Sequence, residues 1–119
     1  MTLDLQRISI EIIKRNQSPT GAYVASPTFS QYGYSWLRDG MWIAQGMDAV
    51  GEHASATQFH QWVGRTMLRY EGQVLALLQK VANGEPLLEA DYLPTRFTLN
   101  SELGEEEWPN FQLDGYGAW

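Results

Sequence analysis

Two short segments of this sequence bring flat aromatic rings together with donor and acceptor side chains. The first is Tyr34-Ser35-Trp36-Leu37-Arg38-Asp39. The guanidinium of Arg38 is a rigid fork of donors, and the carboxylate of Asp39 only accepts. Side by side they match two neighbouring hydroxyl groups, each of which donates and accepts. Trp36 adds an apolar face of the kind that lies against a pyranose ring. The second segment is Trp108-Pro109-Asn110-Phe111-Gln112-Leu113-Asp114-Gly115. Asn110, Gln112 and Asp114 alternate, so in an extended stretch they project to one side and can line one wall of a pocket. The chemistry implied is the gripping of a polyhydroxylated ligand. The same residues also have a purely structural use, with Asp39 and Asp114 at helix starts and Arg38 paired to its neighbour.

Other chemistry finds little support. Glu105-Glu106-Glu107 is a carboxylate run, but adjacent side chains do not face one another across a substrate, and such runs are usually solvated. His53 and His60 stand seven apart without a third ligand in view, so no metal site is expected. Phosphate loops, zinc motifs and a serine nucleophile elbow are missing. There is no cysteine, which removes disulfides, thiolate metal sites and thiol nucleophiles together. No cofactor is called for.

Helices must position the two segments. Leu5, Ile8 and Ile12 form one stripe at helical spacing, with Thr2 as a cap, Asp4 in the first turn, and Lys14 and Arg15 at the carboxyl end. Gln17-Ser18-Pro19-Thr20-Gly21 breaks that helix. Ala22 to Tyr34 reads as a long ordered loop with one short strand at most. A second helix is expected from about Arg38 to Val50, stopped by Gly51. A third, longer one is expected from about Ser55 to Ala82, ended by Asn83-Gly84. Gly64 and Gly72 lie inside it, either weakening it or marking close helix packing. Thr95 to Leu99 alternates like a short strand, and Tyr116 to Trp119 opens a further helix. The pattern is helical hairpins with long loops gathered on one face.

Composition admits two readings of the aromatic residues, fillers of a large core or the stacking faces of a sugar site. The chain has 119 residues, a net charge of -6 and 13% aromatic residues. The acidic balance argues against nucleic acid and against anionic lipid. No run approaches the roughly 18 apolar residues of a membrane span, and the charged amino-terminal stretch lacks a signal-peptide core. A cytoplasmic setting is expected.

The stretches Gly21-Ala22-Tyr23-Val24-Ala25-Ser26-Pro27-Thr28-Phe29, Tyr32 to Asp39, Leu93-Pro94-Thr95-Arg96-Phe97, and Trp108 to Gly117 are similar, in this order, to glycoside hydrolase family 15. That family includes glucoamylases, glucodextranases and bacterial α-glucosidases. The resemblance covers nearly the whole chain and corresponds to the amino-terminal part of the family's catalytic domain. It implies an all-α fold: an amino-terminal fragment, about three helices plus long loops, of an (α/α)6 barrel, with residues 1–119 a partial catalytic domain truncated on its carboxyl-terminal side. It implies that Arg38 and Asp39 grip hydroxyls of the non-reducing-end glucose and that Trp36 stacks or packs beside it. Trp108 would shape the same pocket, and Asn110, Gln112 and Asp114 would bind or support. Asn110 stands where fungal members carry Arg.

By the same resemblance the activity is inverting, exo-acting release of glucose from an α-glucan or α-gluco-oligosaccharide. One Glu protonates the leaving oxygen and another activates water, about 6.5–9.5 Å apart. Both follow the Gln-Leu-Asp-Gly segment, beyond Trp119, so no catalytic residue is assigned in this chain. The isolated chain is expected to be inactive. It is also expected to self-associate, since Met41, Trp42, Met47, Trp62, Leu68 and Leu77 would keep faces that three helices cannot cover. Two rival readings are a non-catalytic sugar-binding or regulatory module, as glucoamylase-like domains of phosphorylase kinase suggest, and a helical interaction protein whose aromatic residues are all core.

Overall fold

In the computed structural model, residues 4–104 and 114–118 are described. Helix α1 spans Leu5–Asn16. Its first turn is closed by Asp4, whose carboxylate accepts the Arg7 N–H at 3.0 Å. Asp4 is therefore the cap itself, not a first-turn residue, and Thr2 lies outside the described residues. Such a cap is worth about 1 kcal/mol, because it satisfies a donor that the helix leaves orphaned. Lys14 and Arg15 sit in the last turn as expected.

The chain then reverses at Gly21, where φ is +100° and a Cβ would stand 2.2 Å from the Gln58 carbonyl oxygen. Only glycine meets both conditions. The segment after it is an ordered loop. It carries an isolated bridge between Gln17 and Tyr23 and one short 3-10 turn, Ser30–Tyr32.

Helix α2, Leu37–Ala49, and helix α3, His53–Arg69, form a tight hairpin. The turn passes through Gly51 with φ +84°, the stop that the sequence placed there. The two helices approach so closely at Gly40 that a Cβ would lie 2.2 Å from the Phe59 ring. Met47, Ala56, Phe59, Trp62, Val63 and Phe97 are at most 1% exposed and make the core with Ala22 and Ala44. Met47 and Trp62 are thus fully buried, contrary to the expectation that they would keep open faces. The 97–99 segment covers Trp62: Phe97 meets its ring edge-on at 6.2 Å, and the Leu99 carbonyl accepts its N–H at 3.1 Å. Trp42 and Leu68 do stay open, at 63% and 71% exposed.

The single long third helix of the sequence reading is two helices. The break falls at Tyr70, whose φ of -100° and ψ of 8° leave the helical region, and α4 follows as Glu71–Ala82. Tyr70 is held from outside the helix. Its hydroxyl donates to the Ser101 carbonyl at 2.9 Å, and its ring lies 5.4 Å from Phe97. Gly64 and Gly72 face open space, so neither marks a helix contact. Helix α4 has no buried residue, and Leu75, Leu78 and Val81 are each more than half exposed. It is tied to the following loop by Gln73, which donates to the Tyr92 carbonyl at 2.8 Å, and by the Lys80–Asp91 ion pair at 2.9 Å.

The expected strand at Thr95–Leu99 does not form. Phe97 instead makes one isolated bridge with Ser35, through two backbone bonds of 2.9 Å. Among the described residues all extended regular structure is helical. None of these helices is long and apolar enough to cross a membrane. Helix α5, Asp114–Ala118, starts two residues before the position expected and lies across the start of α2. The molecule measures 64 × 26 × 22 Å, with a radius of gyration of 16.3 Å. A compact domain of this length would have about 13–14 Å. The unit is therefore elongated.

Candidate functional site

The site is built where the loop ending at Trp36 passes into α2. Trp36 is extended, with φ -102° and ψ 139°, and caps the helix without a side-chain bond. Arg38 and Asp39 thus fall in the first turn, where a carboxylate is favoured by the helix dipole. Arg38 Nε donates to Asp39 Oδ1 at 3.2 Å, and Arg38 Nη1 donates to Asp114 Oδ2 at 2.9 Å. One guanidinium therefore sits between the carboxylate of its sequence neighbour and one 76 residues further on. The contact requires α5 to lie close on α2. Gly115 permits this, since a Cβ there would be 3.4 Å from the Arg38 nitrogen and from the Leu37 Cβ.

All three charged side chains stay within reach of solvent, at 37% to 56% exposed. The hydrogen bond from Arg38 holds the Asp114 carboxyl below its ordinary range, and the bond from the Gly115 N–H adds to this. Hydrogen bonding to Asp114, and to a smaller degree the nearby Asp39, raises the Arg38 guanidinium further. Arg38 and Asp114 are thus both charged near neutrality.

Trp36 forms the floor. It is only 4% exposed and packs among Tyr32, Tyr34 and Arg96. With Leu37, Arg38, Thr95, Asp114, Gly115 and Tyr116 it lines a small hollow at the α2–α5 junction. Tyr116 is pinned there by its hydroxyl, which donates to the Pro94 carbonyl, and burial pushes that phenol well above its usual range. Beside Trp36, Phe29 and Tyr32 form an edge-to-face pair, 62% and 40% exposed.

Of the residues singled out in the sequence, Trp36, Arg38, Asp39 and Asp114 come together here. Trp108, Asn110 and Gln112 lie outside the described residues, as does the Glu105–Glu107 run. His53 pairs with Asp48 at 2.8 Å on the surface, while His60 lies beside Phe59, so the two histidines have separate partners. Sequence reasoning gave no role to Arg96 or Tyr116. Their partners are 62 and 22 residues away along the chain for Tyr34 and Pro94, and local spacing carries no trace of either.

The hollow, floored by Trp36 and rimmed by Arg38 and Asp114, thus lies where the loop enters the α2–α3 hairpin. The family model for Glycosyl hydrolases family 15 matches residues 4–119, and the chain belongs to that family. It is 48% identical over 117 residues to the isomaltose glucohydrolase of Kribbella flavida, a match that covers 98% of this chain and 30% of that protein. A wild-type glycosidase of solved structure superposes with a TM-score of 0.91 at 48% identity, over 98% of this chain and 32% of the other. A variant glycosidase solved in complex with glucose gives the same figures. The chain therefore spans about a third of the length of these relatives. It corresponds to the amino-terminal part of a helical family 15 barrel.

Proposed function

We propose that this chain carries the glucose-gripping portion of a glucoamylase-like, inverting, exo-acting α-glucosidase built on a six-hairpin barrel. The observation that carries the reading is the guanidinium of Arg38 fixed between Asp39 and Asp114 at a hollow that the buried Trp36 also lines. Arg38 donates to, and Asp39 and Asp114 accept from, adjacent hydroxyls of a non-reducing-end glucose, while Trp36 sets the floor beneath the ring. Trp108, Asn110 and Gln112 complete the wall in this proposal. The glucohydrolase and glucose-bound relatives support a glucose-ended α-linked substrate, an α-glucan or a short oligosaccharide.

Hydrolysis needs an acid to protonate the leaving oxygen and a base to activate water from the opposite side. No residue of these 119 is assigned to either role. The chain by itself is expected to bind sugar and not to cleave it. The test is a titration of the 119-residue chain with glucose and with isomaltose, following the Arg38 Nε–H and Gly115 amide signals by NMR. Saturable shifts that vanish in Arg38→Ala, with no glucose released from isomaltose, are the expected result. Sugar that leaves both signals unmoved, or that binds equally to Arg38→Ala, would overturn the reading.

A further inference from the structure

We propose that Arg96 is a positioning residue that clamps the loop leading into α2 and so fixes the floor and the first turn of the site. Arg96 is 3% exposed, too deep to meet a ligand itself. Burying a guanidinium is unfavourable unless its charge and its N–H groups are engaged. The loop supplies two ring faces and a carbonyl toward that engagement. The guanidinium carbon lies 3.9 Å from the centre of the Tyr34 ring and 5.9 Å from that of Trp36. Nη1 donates to the Gln31 carbonyl at 3.0 Å. The next residue, Phe97, exchanges two backbone bonds of 2.9 Å with Ser35. The loop is thus held at positions 31, 34 and 35 from one two-residue stretch, with Trp36 stacked edgewise on Tyr34.

This arrangement suits arginine in particular. A planar cation covers an aromatic face and keeps its edge free for a carbonyl, and the stack strengthens where water is excluded. Lysine keeps the charge and loses the plane. Because Trp36 is followed within three residues by Arg38 and Asp39, loosening the loop displaces the sugar-gripping groups without touching them. That last step rests on the sugar reading above, whereas the clamp does not.

Hydrogen exchange on the 119-residue chain separates the two. In Arg96→Met, the amides of Ala25, Ser26 and Ser35, which are bonded to Tyr34, Tyr32 and Phe97, should exchange at least about tenfold faster. Amides of the α2–α3 core should stay within about twofold of the native chain. Tyr34→Leu, which removes the ring and leaves Arg96, should loosen the same amides, and Arg96→Lys should recover part of the protection. Loop amides that do not move in Arg96→Met and Tyr34→Leu would overturn the clamp. If Arg96→Met unfolds the whole chain, Arg96→Lys and Tyr34→Leu decide: a loop-selective change supports the clamp, and a uniform or absent change overturns it. Glucose titration of the same variants is the second readout. Affinity that falls in Arg96→Met and partly returns in Arg96→Lys, at unchanged core exchange, supports positioning of the site. Native affinity in a loosened Arg96→Met loop overturns that role. A loosened loop in a chain whose native form binds no glucose leaves the clamp standing and removes the sugar reading.

Discussion

At Arg38 a single side chain joins residues 76 positions apart. The bond is largely solvated, and ion pairs of that kind contribute little to stability. Its role is orientation. Asp114 is held below its ordinary value of 3.8 chiefly by the Arg38 hydrogen bond. A carboxyl depressed in the folded chain contributes fully above the unfolded value and loses its contribution as pH falls through the folded one. The Arg38–Asp114 contact should therefore persist at every pH above 3.8 and loosen only below it. Carbon NMR of the Asp114 carboxyl should show its titration rising toward the ordinary value in Arg38→Ala, and an unchanged midpoint would contradict the contact. Two glycines give a paired check on packing. Gly40→Ala drives a methyl into the Phe59 ring and should cost about 1–3 kcal/mol in a urea melt. Gly64→Ala points into open space inside α3 and should stabilise by up to about 1 kcal/mol. Equal effects from the two would contradict the packing described.

Helix positions were legible because they are written locally. Apolar spacing and the stop at Gly51 placed α2 within a residue of its observed span, Leu37–Ala49. Arg38 and Asp39 were accordingly expected at a helix start, where they lie. The break at Tyr70 was not legible. Its apolar periodicity runs on unbroken, and what ends α3 is a hydroxyl bond to Ser101 and a ring contact with Phe97, both long-range. Arg96 was hidden for the same reason, since its partners Gln31 and Tyr34 are distant in sequence. The strand reading of Thr95–Leu99 failed because alternation alone does not supply a partner strand, and among the described residues only Ser35 bridges to it. Helix α4 leaves Leu75, Leu78 and Val81 more than half exposed, an apolar face without full cover among the described residues. Its Leu75 and Leu78 are the elements' most direct contribution to association.

The whole molecule is an elongated unit, 64 Å long, that matches its relatives over about a third of their length. Exposed Leu68, Leu75, Leu78, Val81 and Leu88 form apolar surface around α4 of a kind that drives association. Light scattering on the 119-residue chain should show self-association, reduced in the double variant Leu75→Glu, Leu78→Glu. A monodisperse native monomer would contradict this. The helical fold class and the pairing of α2 with α3 followed from the sequence, as did the place of Arg38 and Asp39 at a helix start. The joining of Asp114 to Arg38 was not legible, because no local rule relates residues so far apart.

The most direct test pairs these 119 residues with the remainder of a relative. The chain would be refolded together with the carboxyl-terminal two-thirds of the Kribbella flavida isomaltose glucohydrolase, and glucose release from isomaltose measured for the native chain and for Arg38→Ala. The expected result is a complex that releases glucose, with the Arg38→Ala complex forming equally well and slowed by about a hundredfold or more, the scale of a lost substrate-positioning contact. An Arg38→Ala complex as active as the native one would contradict the assignment of this cluster to the sugar.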